Sequence, residues 1–426
     1  MKRSLFETYS DVLRLYLNFS RNEKELLFLN KTKYSKIAGS HLHTINRMAQ
    51  YFAGLFFKTF SRTPDRKILQ QKNWMFVVSR NNAEALSFLQ EKIPQAQYVT
   101  LAKDIPGYAT TRIPLKLKWT HYYKLPVLLF WFKRKHPVFF KHNYWTVFYA
   151  CGLYEEAIRV LKHFRPKSLI FSNDHNQDAI AFKLAAADLG IKTIYIQHAS
   201  INSYFPPLDF DLSLLEGECS LEKYQSIGPV KGKIIRIGMP KFDAYAAKRN
   251  FSTEIKRVGV CTNLLDSPLK AYRIIESIHE AFPEMEIIFR AHPIDQRPLP
   301  EGKVSVKISN AKEESTFDYL TRVDLIIACN SSILLEACMM NVTPVYFRME
   351  DEPMPEMFDL YGYVKNGVAR YVPDYLSLIA YLESVRMNKP MVFGASKKYN
   401  EVIGTPDEGR SMEIAASEVQ RFLSQL

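Results

Sequence analysis

From about residue 74 onward the chain alternates short, almost uninterrupted apolar runs with segments of helical periodicity, and it does so in two successive series. The first series holds WMFVVS (74–79), QYVTLA (97–102), SLIFS (168–172), TIYIQH (193–198), DLSLLEG (211–217) and IIRIGMP (234–240). The second holds RVGVCTN (257–263), MEIIFRAH (285–292), KVSVKIS (303–309), DLIIACN (324–330) and TPVYFRM (343–349). A strand that is apolar on both faces needs helices over both faces, which is the situation of a parallel sheet. Helical patterns fill the gaps, most clearly EEAIRVLKHF (155–164) and QDAIAFKLAAADLG (177–190), the latter closing on a glycine stop signal. The expected class is therefore α/β, with two doubly wound domains. The join falls within 240–256, giving an N-terminal domain of 1–245 and a C-terminal domain of 246–426.

Open parallel sheets bind ligands beyond the carboxyl ends of their strands, so the residues just after each run are the ones to inspect. In the first series these are Asn173-Asp174-His175, Gln197-His198-Ala199, Glu216-Gly217-Glu218 and Met239-Pro240-Lys241. In the second they are Ala291-His292-Pro293 and Asn330-Ser331-Ser332. The triplet Asn330-Ser331-Ser332 separates a strand pattern from a helix pattern and has two readings. Its side chains cap the helix, or they join the free N–H groups in holding an anion such as phosphate. Arg290, His292, Ser331 and Ser332 together have the donors to neutralise a leaving phosphate, an electrostatic task. Asp174, His198 and Glu216 are the side chains in the first series able to take a proton from an attacking hydroxyl. Each also has a plain reading: Asp174 as a turn or cap carboxylate, Glu216 as a loop charge, either histidine as a structural hydrogen-bonding residue.

The ordered motifs Gln197-His198, Gly238-Met239-Pro240-Lys241-Phe242-Asp243, Arg290-Ala291-His292-Pro293 and Asn330-Ser331-Ser332, with Glu336 beyond, resemble bacterial surface-polysaccharide transferases of the GT-B fold. The resemblance spans roughly residues 165–350. It implies two Rossmann-like domains facing across a cleft, the N-terminal one holding the acceptor and the base, the C-terminal one the nucleotide. The His-Pro pair followed by paired serines is similar to transferases that use CMP-activated acidic sugars of the sialic, nonulosonic and Kdo classes. Carried over, His292, Ser331 and Ser332 bind the donor phosphate, with Arg290, Pro293, Asn330 and Glu336 around the nucleotide; Glu336, one turn into the motif helix, reaches the ribose, forms a salt bridge or lies on a solvated face. Asp174, His198, Glu216 and His292 are the catalytic candidates. The same order also resembles CDP-glycerol glycerophosphotransferases, in which histidines matching His198 and His292 serve the chemistry. Here His198-Ala199 and Cys329-Asn330 depart from that pattern. The UDP-sugar 2-epimerases are a third relative, but their glycine-rich anion turn is replaced by Cys329-Asn330-Ser331-Ser332. The resemblance implies no metal and no separate cofactor.

The chain of 426 residues carries a formal charge of +13, which favours an anionic partner. Much of the excess sits in residues 105–154, a stretch without a single acidic residue, where Lys133, Arg134, Lys135 and Lys141 interleave with aromatics. A buried helix with a basic rim, a patch for an anionic membrane surface and a groove for a polyanionic acceptor all fit this composition. No nucleic-acid-binding module is recognisable, so nucleic acid is not expected as a partner. The expected partners are a nucleotide-activated sugar donor, a lipid-linked or oligosaccharide acceptor and the membrane surface. A basic peripheral polyanion-binding protein is the non-enzymatic alternative. Five cysteines without metal-ligand or CxxC spacing suit a reducing compartment. With no convincing signal peptide and no spanning run, the expected location is cytoplasmic, peripheral on the inner face of the cytoplasmic membrane. The amphipathic segment MEIAASEVQRFLSQL at the C-terminus is expected to pack back across the domains.

Overall fold

Near-continuous apolar runs become parallel strands in two sheets. The computed structural model describes residues 3–21, 41–59, 62–101, 104–116, 118–300, 302, 304–352 and 355–426. Strands β1 (Asn73–Phe76), β2 (Ala96–Thr100), β3 (Thr110–Arg112), β4 (Ser168–Phe171), β5 (Lys192–Ile196), β6 (Asp209–Leu215) and β7 (Lys231–Arg236) form a seven-stranded sheet in the order β3-β2-β1-β4-β5-β6-β7. Strands β8 (Arg257–Cys261), β9 (Glu286–Arg290), β10 (Lys307–Ile308), β11 (Leu325–Ala328), β12 (Thr343–Phe347) and β13 (Arg370–Val372) form a six-stranded sheet in the order β10-β9-β8-β11-β12-β13. Every pairing within both sheets is parallel. The α/β class with two doubly wound sheets is thus as expected.

The period-2 geometry of the strands divides the first domain into two apolar layers. Trp74, Phe76, Leu169 and Phe171 face the layer built by helices Pro137–Phe164 and Gln177–Asp188. Met75, Ile170, Ile194 and Leu212 face the opposite layer. Helix Ser411–Leu423 belongs to that second layer through Ala415, Ala416, Val419 and Leu423. The C-terminal helix therefore returns to the first sheet, although its position in sequence places it in the 246–426 half. Two glycines accommodate the returning strap. A Cβ on Gly217 would lie 2.6 Å from the Tyr399 carbonyl carbon, and Gly238, at φ +83°, would meet Asn400 Oδ1 at 2.8 Å. The strap is pinned there by hydrogen bonds from Cys219 N to Lys398 O (2.8 Å) and from Glu401 N to Glu216 O (2.9 Å).

Edges depart from the sequence reading. The three-residue strands β3 and β13 carry too few residues for a periodicity to register, and the expected run 303–309 pairs only at Lys307–Ile308, an exposed edge. The basic aromatic segment serves two ends at once. Phe139, Val147, Ala150 and Cys151 are core, whereas Trp119, Tyr123, Val127 and Phe130 stay largely exposed. Helix Leu125–Lys135 presents the last two of these together with Lys133 and Arg134. No helix among the described residues is long and apolar enough to cross a membrane. All five cysteines are buried thiols.

Candidate functional site

In the second sheet β9, β8 and β11 are neighbours, so the loops at their carboxyl ends meet. His292 and Pro293 lie exposed two and three positions past β9. The His292 Nδ1 accepts a 3.4 Å bond from Ile294 N, and its carbonyl accepts from Asp295 N at 2.8 Å. Partial burial pulls the imidazole below its usual pKa, with the Asp295 carboxylate opposing. Past β11, Ser331 Oγ accepts a long 3.4 Å bond from Ile333 N. Ser332 is the N-cap residue of helix Ile333–Met339, yet its side chain makes no capping bond. Capping thus occupies one serine weakly and leaves the other hydroxyl uncommitted to the helix.

Three of the expected nucleotide ligands are otherwise engaged. Arg290 is buried, donating from Nη1 to Ser309 Oγ (2.6 Å) and from Nη2 to Glu314 O (2.8 Å), with its guanidinium 5.1 Å from the Tyr319 ring centre. Both terminal nitrogens are thus engaged inside the domain. Asn330 donates to Met357 O (2.6 Å) and accepts from Tyr346 Oη and Leu360 N, both at 3.1 Å, so it stitches the 357–360 loop to β11. Glu336, buried in the first turn of its helix, pairs with Lys241. Of the readings of Glu336, the salt bridge is formed and the solvated face is not.

The carboxyl edge of the first sheet holds the remaining candidates. Asp174 follows β4, is 4 % exposed, and does not cap the next helix, whose N-cap is Asn176. Its Oδ1 lies 3.0 Å from His175 Nδ1, and its Oδ2 accepts from the Tyr224 hydroxyl. His175 packs against Phe205 with ring centres 4.4 Å apart and planes tilted by 33°. His198 follows β5, with Nε2 3.4 Å from Asn82 Nδ2. Burial, reinforced by Lys241 and opposed by Asp174, pulls its pKa down to about 4, so the ring is neutral at physiological pH. Glu216, at the end of β6, is buried rather than a solvated loop charge. Gln197 brackets it, donating from Nε2 to Glu216 Oε2 (3.2 Å) and accepting from Glu216 N (2.9 Å). Its Oε1 is buried without a partner. Burial raises the carboxyl pKa to about 7, Lys241 works against that, and Glu336 adds to it.

Lys241 connects the two edges. It leaves the first domain on the 3-10 helix Pro240–Lys248 and reaches Glu336 in the second. Burial disfavours its charge, but Glu336 and Glu216 outweigh that and raise its pKa. Close by, Ser200 Oγ and Tyr363 Oη are 2.6 Å apart, and Lys223 Nζ donates to Tyr361 O at 2.5 Å. The loop after β5 thus touches the 361–363 segment of the second domain, and the segment past β7 touches the helix after β11. Lys241 stands inside the Gly238–Asp243 motif but was not among the expected site residues. Its signal in the sequence is a lysine that directly follows the run 234–240, of which only residues up to Arg236 are strand. His175 and Asn82 also belong to this edge outside the expected set, His175 beside the Asp174 carboxylate and Asn82 in the helix that follows β1. One Asp-x-Asp spacing, Asp209-Phe210-Asp211, lies at the opposite, amino end of β6. There Asp209 pairs with Arg3 (3.1 Å) and Lys231 (3.3 Å), and Asp211 with Lys192 (2.7 Å).

No protein-family model matches the chain, and no curated protein matches it in sequence. Solved structures do resemble it in shape. The wall teichoic acid polymerase TagF, in a structure with CDPG, superposes at a TM-score of 0.52 with 11% identity, over 90% of this chain and 98% of that one. The UDP-GlcNAc 2-epimerase of Neisseria meningitidis, bound to UDP-GlcNAc, gives 0.52 with 13% identity, over 82% and 100%. A glycotransferase of kitacinnamycin gives 0.51 with 15% identity, over 83% and 99%. At such identities the likeness speaks to architecture alone, and on that it agrees with the two parallel sheets: the chain has a GT-B fold, two Rossmann-like domains facing across a cleft.

Proposed function

We propose that this protein is a transferase that moves an acidic sugar from a CMP-activated donor to a hydroxyl of a surface-glycan acceptor. The observation that supports the reading is the Lys241–Glu336 pair, which joins the carboxyl edge of the first sheet, where Lys241 acts on His198 and Glu216, to the helix that begins after Ser331 and Ser332. On this reading the second domain holds the nucleotide, its phosphate receiving hydrogen bonds from the serine hydroxyls and the His292 ring. Such donors stabilise charge that builds on the leaving phosphate. The acceptor lies against the first domain, where a proton acceptor at the sheet edge deprotonates its hydroxyl. Transfer of this kind has no step that calls for a metal or a further cofactor.

A second reading, glycerophosphoryl transfer from CDP-glycerol, is favoured by the TagF likeness over 90% of the chain and by the placement of His198 and His292 on opposite edges. Incubation with CMP-N-acetylneuraminate, CDP-glycerol and UDP-N-acetylglucosamine, each scored for release of the free nucleotide or glycerophosphate product, separates these readings. Release from the CMP-sugar supports the first, and release from CDP-glycerol the second. Turnover of the UDP-sugar without transfer returns the 2-epimerase alternative. No turnover, with salt-sensitive binding to any polyanion, leaves a basic binding protein.

The protein works at the cytoplasmic face of the membrane on this account. Exposed Trp119, Tyr123 and Phe130 beside Lys133, Arg134 and Lys135 suit an anionic lipid surface. Replacing those three basic residues by Glu is expected to abolish co-sedimentation with phosphatidylglycerol vesicles. Undiminished binding would detach the segment from the membrane.

A further inference from the structure

We infer that His175 is the group that takes the acceptor's proton, and that Asp174 is its positioning residue; the assignment rests on the transfer reading above. Geometry separates His175 from the other candidates. Glu216 is 2 % exposed and bracketed by Gln197, so an acceptor hydroxyl has no path to it. Asp174 is 4 % exposed, with both oxygens already accepting, one facing His175 and one bonded by Tyr224. His198 has Nδ1 buried and Nε2 against Asn82. His175 retains 23 % of its side-chain exposure and has one nitrogen in use.

The contacts of His175 set its chemistry. A carboxylate only accepts, so Nδ1 facing Asp174 Oδ1 carries the hydrogen and Nε2 keeps its lone pair. Tyr224 holds the other carboxylate oxygen, and its own hydroxyl also contacts Tyr195 Oη at 3.3 Å, so the carboxylate is anchored from below. Phe205 fixes the plane of the imidazole. A ring oriented by a buried carboxylate is the arrangement that prepares an imidazole to accept a proton. The dyad also belongs to the cleft. Asp174, His175 and Lys241 all act electrostatically on His198, and Lys241 pairs with Glu336 on the helix that begins after Ser332.

In the step, the acceptor O–H gives its proton to Nε2 while its oxygen forms a bond to the anomeric carbon of the donor. The bond from that carbon to the phosphate oxygen breaks, and its electron pair leaves on the nucleotide. The imidazolium then loses the proton to water.

The test is release of CMP from CMP-N-acetylneuraminate by His175→Ala and Asp174→Asn, alongside CMP binding by thermal shift. If the wild type instead turns over CDP-glycerol, that donor replaces the CMP-sugar, the acceptor oxygen attacks its β-phosphorus, and CMP remains the nucleotide released and bound. His175→Ala is expected to lose at least about a hundredfold in turnover, to bind the nucleotide as the wild type does, and to recover part of the rate in added imidazole. Asp174→Asn is expected to lose about tenfold or more with binding intact. Wild-type turnover that His175→Ala leaves unchanged overturns this assignment and spares the transfer reading. A loss that imidazole does not restore, accompanied by lost nucleotide binding, makes His175 structural and also overturns it. Absence of turnover by the wild type on every donor overturns the transfer reading itself.

Discussion

Lys241 and Glu336 form an ion pair that ties the end of the first sheet to the helix behind Ser332. The pair is unequal: the Lys241 side chain keeps 40% of its exposure and Glu336 only 7%. Losing the lysine strands a buried carboxylate, whereas losing both partners does not.

Lys241→Met is therefore expected to cost about 1–2 kcal/mol, reduced from a fully buried pair because solvent screens the lysine. Adding Glu336→Gln is expected to return much of it. Urea midpoints of the two single variants and the double variant give the coupling. Strict additivity would mean that the pair carries nothing across the cleft.

Glu216 and His198 give opposed pH dependences. Glu216 titrates at about 7 against an ordinary 4.5, so between those values the folded state holds the extra proton and stability falls as pH rises. His198 titrates at about 4 against 6.5, so the unfolded state holds the extra proton and stability falls as pH drops through that window. In the wild type the two slopes oppose each other between pH 4.5 and 6.5. Asp266, likewise raised to about 7 by burial, adds a fall with pH to every variant, so the comparison is with the wild type. Glu216→Gln is expected to shift the slope upward by up to about 1 kcal/mol per unit, and His198→Asn downward by a similar amount. Denaturation midpoints from pH 4.5 to 8 check both signs.

Arg290 and Asn330 are expected to matter for stability and not for the donor. Arg290→Met removes two buried hydrogen bonds and is expected to cost about 2–3 kcal/mol. Asn330→Ala frees the 357–360 loop and is expected to cost about 1–3 kcal/mol. Neither is expected to change the order of preference among CMP, CDP and UDP, which competition binding at a temperature well below unfolding measures. A changed order would put these side chains back at the nucleotide.

Sequence carried the architecture because burial on both faces removes the polar alternation from a strand, and Met75, Ile170 and Ile194 on one face with Phe76 and Phe171 on the other show that pattern directly. It carried the strand ends for the same reason. What it did not carry was partnership. Nothing in Arg290 says that Ser309 and Glu314 will take its donors, and nothing in Asn330 announces the loop it holds. Those contacts come from segments distant along the chain. His175 is hidden differently: in sequence it is only the neighbour of Asp174, and the 3.0 Å contact with that carboxylate, itself held by Tyr224, exists only in the fold. The return of Ser411–Leu423 to the first sheet agrees with the amphipathic spacing of that segment, although the pattern does not name the face it covers.

The account stands most directly on calorimetric titration of the wild type and of Ser331→Ala/Ser332→Ala with CMP, CDP and UDP. Ser332 makes no capping bond and Ser331 only a long one, so the double variant is expected to keep its thermal midpoint. It is expected to bind the cytidine nucleotide preferred by the wild type at least about tenfold more weakly, the loss of charge-assisted hydrogen bonds. Equal affinity in the double variant, or no nucleotide binding by the wild type, would contradict a donor site at the end of β11.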